Sequence, residues 1–129
     1  MSKAINWSEQ FLDEVMNEDD HIQKIALRIG SLYFDTKYYS NGEIVDIRVN
    51  HKIVRKGIII DDLILCKISE LDSEIIKGYK KELNSIDKIT NFLSTNYNLL
   101  VDGNTEVTVI KYKNLNLNKQ AVLDDPHLC

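Results

Sequence analysis

The sequence predicts an α+β fold, a small antiparallel or mixed β-barrel with an N-terminal helix and two short helices before the last strand. Three observations carry that expectation. From residue 22 to about 68 the apolar pattern takes the short period of strands, and the runs are joined by brief turns. Helical spacing lies on either side, in residues 7–16 and again after Leu71. There is no strand–helix–strand alternation, which excludes a doubly wound parallel sheet. At 129 residues, 43% apolar and 28% charged, the chain has the length of one domain and an ordinary globular composition.

Each element has a local cause. Asn6 and Glu9 have capping-box spacing, and Trp7, Phe11 and Val15, with Leu12 and Met16, form one apolar stripe. That predicts an opening helix, ended by the acidic run Glu18-Asp19-Asp20. "IQKIALRI" reads as the first strand, followed by the aromatic run "SLYFDTKYYSNGE", whose Asn41-Gly42 is the strongest turn signal in the chain. "EIVDIRV" sets Val45, Ile47 and Val49 against Asp46 and Arg48, a half-buried strand. "NHKIVRKG" turns into the next strand, and "IIIDDLILCKI" continues it with a break or bulge at Asp61-Asp62.

Asp72 or Ser73 then caps a short helix over residues 74–80, broken near Gly78. A second helix starts near Ser85 and carries Ile86, Ile89, Phe92 and Leu93 on one face. "VDGN" turns into the closing strand "TEVTVIKYK", with Val107 and Val109 opposite Thr108, Ile110 and Tyr112. The expected division is a single domain over residues 1–113 and a tail over 114–129, partly mobile or covering a sheet edge.

Several function classes lack their signatures. No apolar run is long enough to span a membrane and the N-terminus has no signal-peptide core, so a cytoplasmic protein is expected. Cys66 lies in the apolar run "LILCKI" and Cys129 is the last residue, an unpromising pair for a disulfide. Without CxxC or HExxH spacing, neither metal nor cofactor is expected. His21, His51 and His127 stand apart from any nucleophile motif, and the five glycines make no phosphate loop.

Charge is unevenly spread. Residues 1–20 hold one lysine against six carboxylates, whereas residues 21–60 hold seven basic side chains against three acidic ones. A basic middle in an acidic protein can attract a phosphate or carboxylate. Lys24 and Arg28 interrupt an apolar strand, while Arg48, Lys52, Arg55 and Lys56 gather at a hairpin next to His51. Tyr33, Phe34, Tyr38 and Tyr39 could provide stacking platforms for unpaired bases.

The order of elements resembles the ASCH and PUA-like β-barrel group over residues 7–113. "FLDEVMNEDDHIQKIALRI" corresponds to that group's helix and first strand, and "NGEIVDIRV" to its turn and second strand. "KISELDSEII" corresponds to the entry to its helices, and "EVTVIKY" to its closing strand. The first strand of such domains carries approximately G-x-K-x-x-E-x-R. Anchored on Arg28, this motif places Ala26 at the acidic position, Gln23 at the lysine position and His21 at the glycine position.

The resemblance implies a barrel cleft that receives RNA or a nucleotide, with Arg28 and Lys24 at its mouth and no catalytic residue. A guanidinium there can hold a phosphate or base edge bidentately, or instead pair with Asp46 or Asp35. Some relatives hydrolyse acetylated pyrimidine nucleosides with a lysine, a threonine and a glutamate, but the threonine position falls on Ala26. The expected ligand-binding set is therefore Lys24, Arg28, Arg48, Lys52, Arg55, Lys56, Tyr38 and Tyr39. The alternatives are a nucleoside amidohydrolase with displaced catalytic groups and a protein that assembles as a homodimer.

Overall fold

Six strands build one mixed sheet in the computed structural model, which describes residues 3–16 and 23–115. The strands are β1 (Ala4–Trp7), β2 (Lys24–Ile29), β3 (Ile44–Val49), β4 (Lys52–Ile59), β5 (Ile64–Lys67) and β6 (Glu106–Leu115). The helices are α1 (Leu12–Met16), α2 (Leu32–Asp35), α3 (Ser73–Gly78) and α4 (Ile86–Tyr97), with 3₁₀ turns over Glu9–Phe11 and Ile68–Glu70. The sheet order is β1-β3-β4-β6-β2, and β5 pairs with β6. The expected mixture of helices and a mixed sheet is present, and the sheet is open.

The start of the chain departs from the expected helix. Asn6 and Trp7 lie in β1, which runs parallel to β3 with Ile5 opposite Ile47 and Trp7 opposite Val49. Ile5 and Trp7 are buried while Ala4 and Asn6 are less so, a two-residue period that a helix would not give. Pairing to a distant strand and burial of the indole outweigh a local capping signal. Helix begins only at α1, where Val15 keeps its predicted buried place. The aromatic run is also not a strand: Leu32–Asp35 forms α2, with the Ser31 hydroxyl donating to Asp35 Oδ2 at 2.8 Å.

The middle of the chain matches its local signals more closely. Asn50 and His51 both take positive φ in the β3–β4 turn, as two-residue hairpins require. Register shifts between Ile47↔Arg55 and Arg48↔Ile53, a bulge that leaves Val54 as the extra residue. The Asp61-Asp62 break is real, with Asp61 at φ 63°. Either side of it, Ile59 pairs with Tyr112 and Ile64 with Val109, so β4 and β5 follow β6 as one bent antiparallel line.

These registers put Ile5, Trp7, Val45, Ile47, Ile59, Ile110 and Tyr112 on one face, and all are buried. The sheet curls over them, since Trp7 Nε1 on β1 donates to the Tyr112 hydroxyl on β6 at 3.1 Å. Gly57 sits in a tight place inside the curl. A Cβ there would stand 3.0 Å from Ile47 Cδ1 and 3.2 Å from the Lys113 carbonyl.

The curl brings its two edge strands together without backbone pairing between them, and Arg28 spans the seam. From β2, Arg28 Nη2 donates to the Asn6 carbonyl on β1 at 3.0 Å and Nη1 donates to its neighbour Leu27 at 2.9 Å. Its guanidinium also stands 5.6 Å from the centre of the Trp7 ring.

The opposite faces of β2 and β6 are buried as well, at Ile25, Leu27, Val107 and Val109. The helical segments supply further core residues there, including Ile68, Ile75, Ile89 and Leu93. Both main helices have the expected caps: Asp72 accepts from Ile75 N at 2.9 Å and Ser85 from Lys88 N at 3.2 Å. At Gly78, helix α3 meets β2 so closely that a Cβ would lie 2.7 Å from Ile25 Cγ1. Gly78→Ala is therefore expected to cost about 1–3 kcal/mol of stability, read as a lower midpoint in urea unfolding. An unchanged midpoint would show that the α3–β2 contact is loose.

Candidate functional site

A cavity lies where the α2–β3 loop meets the break between β4 and β5. It has a volume of about 430 Å³ and is lined by Phe34, Lys37, Tyr39, Ser40, Asn41, Asp62 and Leu63. Local hydrogen bonds fix its walls. Lys37 N donates to Phe34 O and Tyr38 N to Tyr33 O, which holds Lys37 at φ 50°. Ser40 N donates to Glu43 Oε1 at 3.0 Å, and Gly42, at φ 90°, donates to Ile59 O at 2.7 Å. This last bond ties the loop to the strand that ends beside Asp62.

The lining combines groups a small polar ligand can use. Phe34 and Tyr39 give ring surface, Asn41 both a donor and an acceptor, Asp62 an acceptor and Lys37 a cation. Tyr39 is anchored rather than mobile. It is 5% exposed, its hydroxyl donates to the Ala4 carbonyl at 2.6 Å, and its ring packs on Tyr33 and Tyr38. Burial pushes its phenol well above the ordinary tyrosine value, with the Arg28 charge working the other way.

The residues singled out in the sequence are dispersed. Arg28 is committed to the seam and lines a small cavity of about 50 Å³, shared with Trp7, Tyr79 and Phe92. The expected partners of Arg28 are engaged elsewhere: Asp46 pairs with Lys56 and lies 4.0 Å from Arg48, and Asp35 accepts from Ser31. Lys24 does not share the Arg28 cavity. It is 5% exposed and lines a separate cavity of about 260 Å³ with Glu14, Gln23, Lys77, Gly78, Tyr79 and Lys81.

At the hairpin, Arg48 and Lys56 are thus drawn to one buried carboxylate, and Arg55 Nη1 reaches the Met16 carbonyl at 3.3 Å. Lys52 is exposed at the start of β4. Tyr38 is partly exposed, but its ring lies under Lys3 and its carbonyl accepts from the same lysine. His21, at the motif's glycine position, lies outside the described residues, as does the tail from residue 116.

The sequence signals that bear on the cavity beside Asp62 are the Asn41-Gly42 turn and the Asp61-Asp62 break, which are visible separately. Nothing local says that they face each other. Among the described residues no group of His, Cys, Asp and Glu is arranged to hold a metal, and no helix is long and apolar enough to cross a membrane.

The buried Tyr39 phenol gives a pH test. It stays neutral in the folded chain where the unfolded chain ionises, at about pH 10 and above. Stability is therefore full below that pH and falls as the pH rises beyond it. Tyr39→Phe should lose about 1 kcal/mol near neutrality, from the Ala4 bond, and lose less further stability above pH 10, in unfolding measured across that range. Parallel alkaline profiles for the two proteins would contradict the assignment.

Comparison of the chain with family models, curated proteins and solved structures returns no match.

Proposed function

We propose that this chain is a cytoplasmic, PUA-like barrel module that binds a nucleotide in the cleft between the α2–β3 loop and the β4–β5 break. The observation that carries the reading is that one cavity of about 430 Å³ holds Phe34, Asn41, Asp62 and Lys37 together. That volume is within the range of small-molecule sites, which combine apolar walls with a few placed polar groups. An aromatic ring can stack on a base, the amide and carboxylate can meet its polar edge, and the lysine can meet its phosphate. The barrel description rests on the curl that brings Trp7 to Tyr112 and on the Arg28 bridge between the edge strands.

The hairpin charges support an RNA track less well, since Asp46 offsets Arg48 and Lys56. The hydrolytic alternative requires a lysine and a carboxylate in one cleft, and Lys24 and Glu14 do line the same cavity. No serine, threonine or cysteine is among the residues that line it. Binding is therefore the reading adopted.

Amide-resolved NMR titration with adenosine and uridine monophosphates provides the test. Shifts should cluster at Phe34, Lys37, Asn41 and Asp62, and Lys37→Ala should weaken binding about tenfold, equivalent to about 1.4 kcal/mol. No shift with either nucleotide would overturn the reading. Shifts confined to residues 48–56 on adding single-stranded RNA would move the function to the hairpin.

A further inference from the structure

We propose that Lys3 is a positioning residue of the cleft between the α2–β3 loop and the β4–β5 break. Its ammonium holds the loop wall in the shape that admits a ligand. The inference rests on the nucleotide reading of that cleft and adds to it a residue that a ligand would not touch. Lys3 is not among the lining residues, whereas Tyr39 and Ser40 are.

Lys3 stands immediately before β1, and its backbone is fixed there. Its carbonyl accepts from Asp46 N on β3 at 2.9 Å. From this anchored position the side chain crosses to the α2–β3 loop. Its ammonium donates to the Tyr38 carbonyl, lies 3.3 Å from Glu43 Oε2 and stands 4.7 Å from the centre of the Tyr38 ring. An ammonium carries three donors, so one lysine can serve a carbonyl and a carboxylate together while its charge faces a ring.

These contacts bracket Tyr39. The peptide before it is held through the Tyr38 carbonyl. The peptide after it is held through Glu43, whose other oxygen accepts from Ser40 N at 3.0 Å. The phenol itself donates to the carbonyl of Ala4, the neighbour of Lys3, at 2.6 Å. The wall is thus fastened to the start of β1 through its backbone and through a side chain. Its far end is fastened separately, where Gly42 N donates to Ile59 O at 2.7 Å.

A half-exposed ion pair alone contributes little. Here the same ammonium also carries the carbonyl bond and the ring contact. Without it the Glu43 carboxylate loses its counter-charge and the Tyr38 carbonyl its donor. The wall then samples other shapes, and the apparent affinity falls by the fraction of molecules that keep the competent one.

The experiment combines titration of the full chain by adenosine and uridine monophosphates with amide exchange in the free protein. Lys3→Met keeps an unbranched stem and removes the charge and the donors. It should raise the dissociation constant about threefold to fivefold and speed exchange at the Ser40 amide, leaving the Gly42 amide as protected as before. Lys3→Arg keeps a cation with donors for both acceptors and should bring both readouts close to those of the unaltered chain. Circular dichroism of each variant checks that the fold is retained.

Unchanged affinity in Lys3→Met would overturn the proposal, as would a loss that Lys3→Arg fails to restore. If neither nucleotide binds the unaltered chain, the nucleotide reading falls and exchange alone decides the role of Lys3. Faster Ser40 exchange in Lys3→Met then upholds its hold on the wall, and unchanged exchange overturns it.

Discussion

The structure depends on the contact between the two edges of its sheet. A curled sheet that fails to close leaves two rows of unpaired backbone groups, and those edges must be covered or bridged. Here one side chain bridges them. Arg28 reaches from β2 to the Asn6 carbonyl of β1, and its charge faces the ring of Trp7. Trp7 in turn donates across the interior to Tyr112. The same indole also meets the buried ammonium of Lys80. A single residue of β1 thus joins the sheet interior, the seam and the segment following α3.

This arrangement explains why the charges in an apolar strand are not one binding site. Lys24 and Arg28 are four residues apart on β2 and share a face by register, opposite Tyr112 and Thr108. At about 3.3 Å per residue they are separated by roughly 13 Å, enough for each to line its own cavity. Arg28 is taken up by holding the sheet together. Lys24 lies at the other end of the strand and lines a cavity with Glu14, Lys77 and Lys81.

Much of the fold was legible because its signals are local. The Asp72 and Ser85 caps, the Asn41-Gly42 turn, the Asp61-Asp62 break and the alternation in β3 each need only neighbouring residues. The opening of the chain was not legible for the opposite reason. The segment from Asn6 to Val15 satisfies a helical cap and stripe, and only β3, some forty residues later in the sequence, decides that its first part is a strand. In β6 both alternating sets are buried, Val107 and Val109 on one side and Ile110 and Tyr112 on the other, so the pattern could not tell which was interior. The candidate cleft was hidden similarly. Its Asn41 and Asp62 come from two separately visible breaks that only the tertiary fold brings together.

The most direct test of this account is the stability of Arg28→Ala, with backbone amide exchange followed at β1. Losing two backbone acceptors and the indole contact at a half-buried position should cost about 1–3 kcal/mol, and the β1 amides should exchange faster than those of β3 and β4. Arg28→Lys, which cannot span the same pair of carbonyls with a planar fork, should recover only part of the loss. Wild-type stability and wild-type β1 protection in Arg28→Ala would contradict the account, and would return Arg28 to the pool of residues available for a ligand.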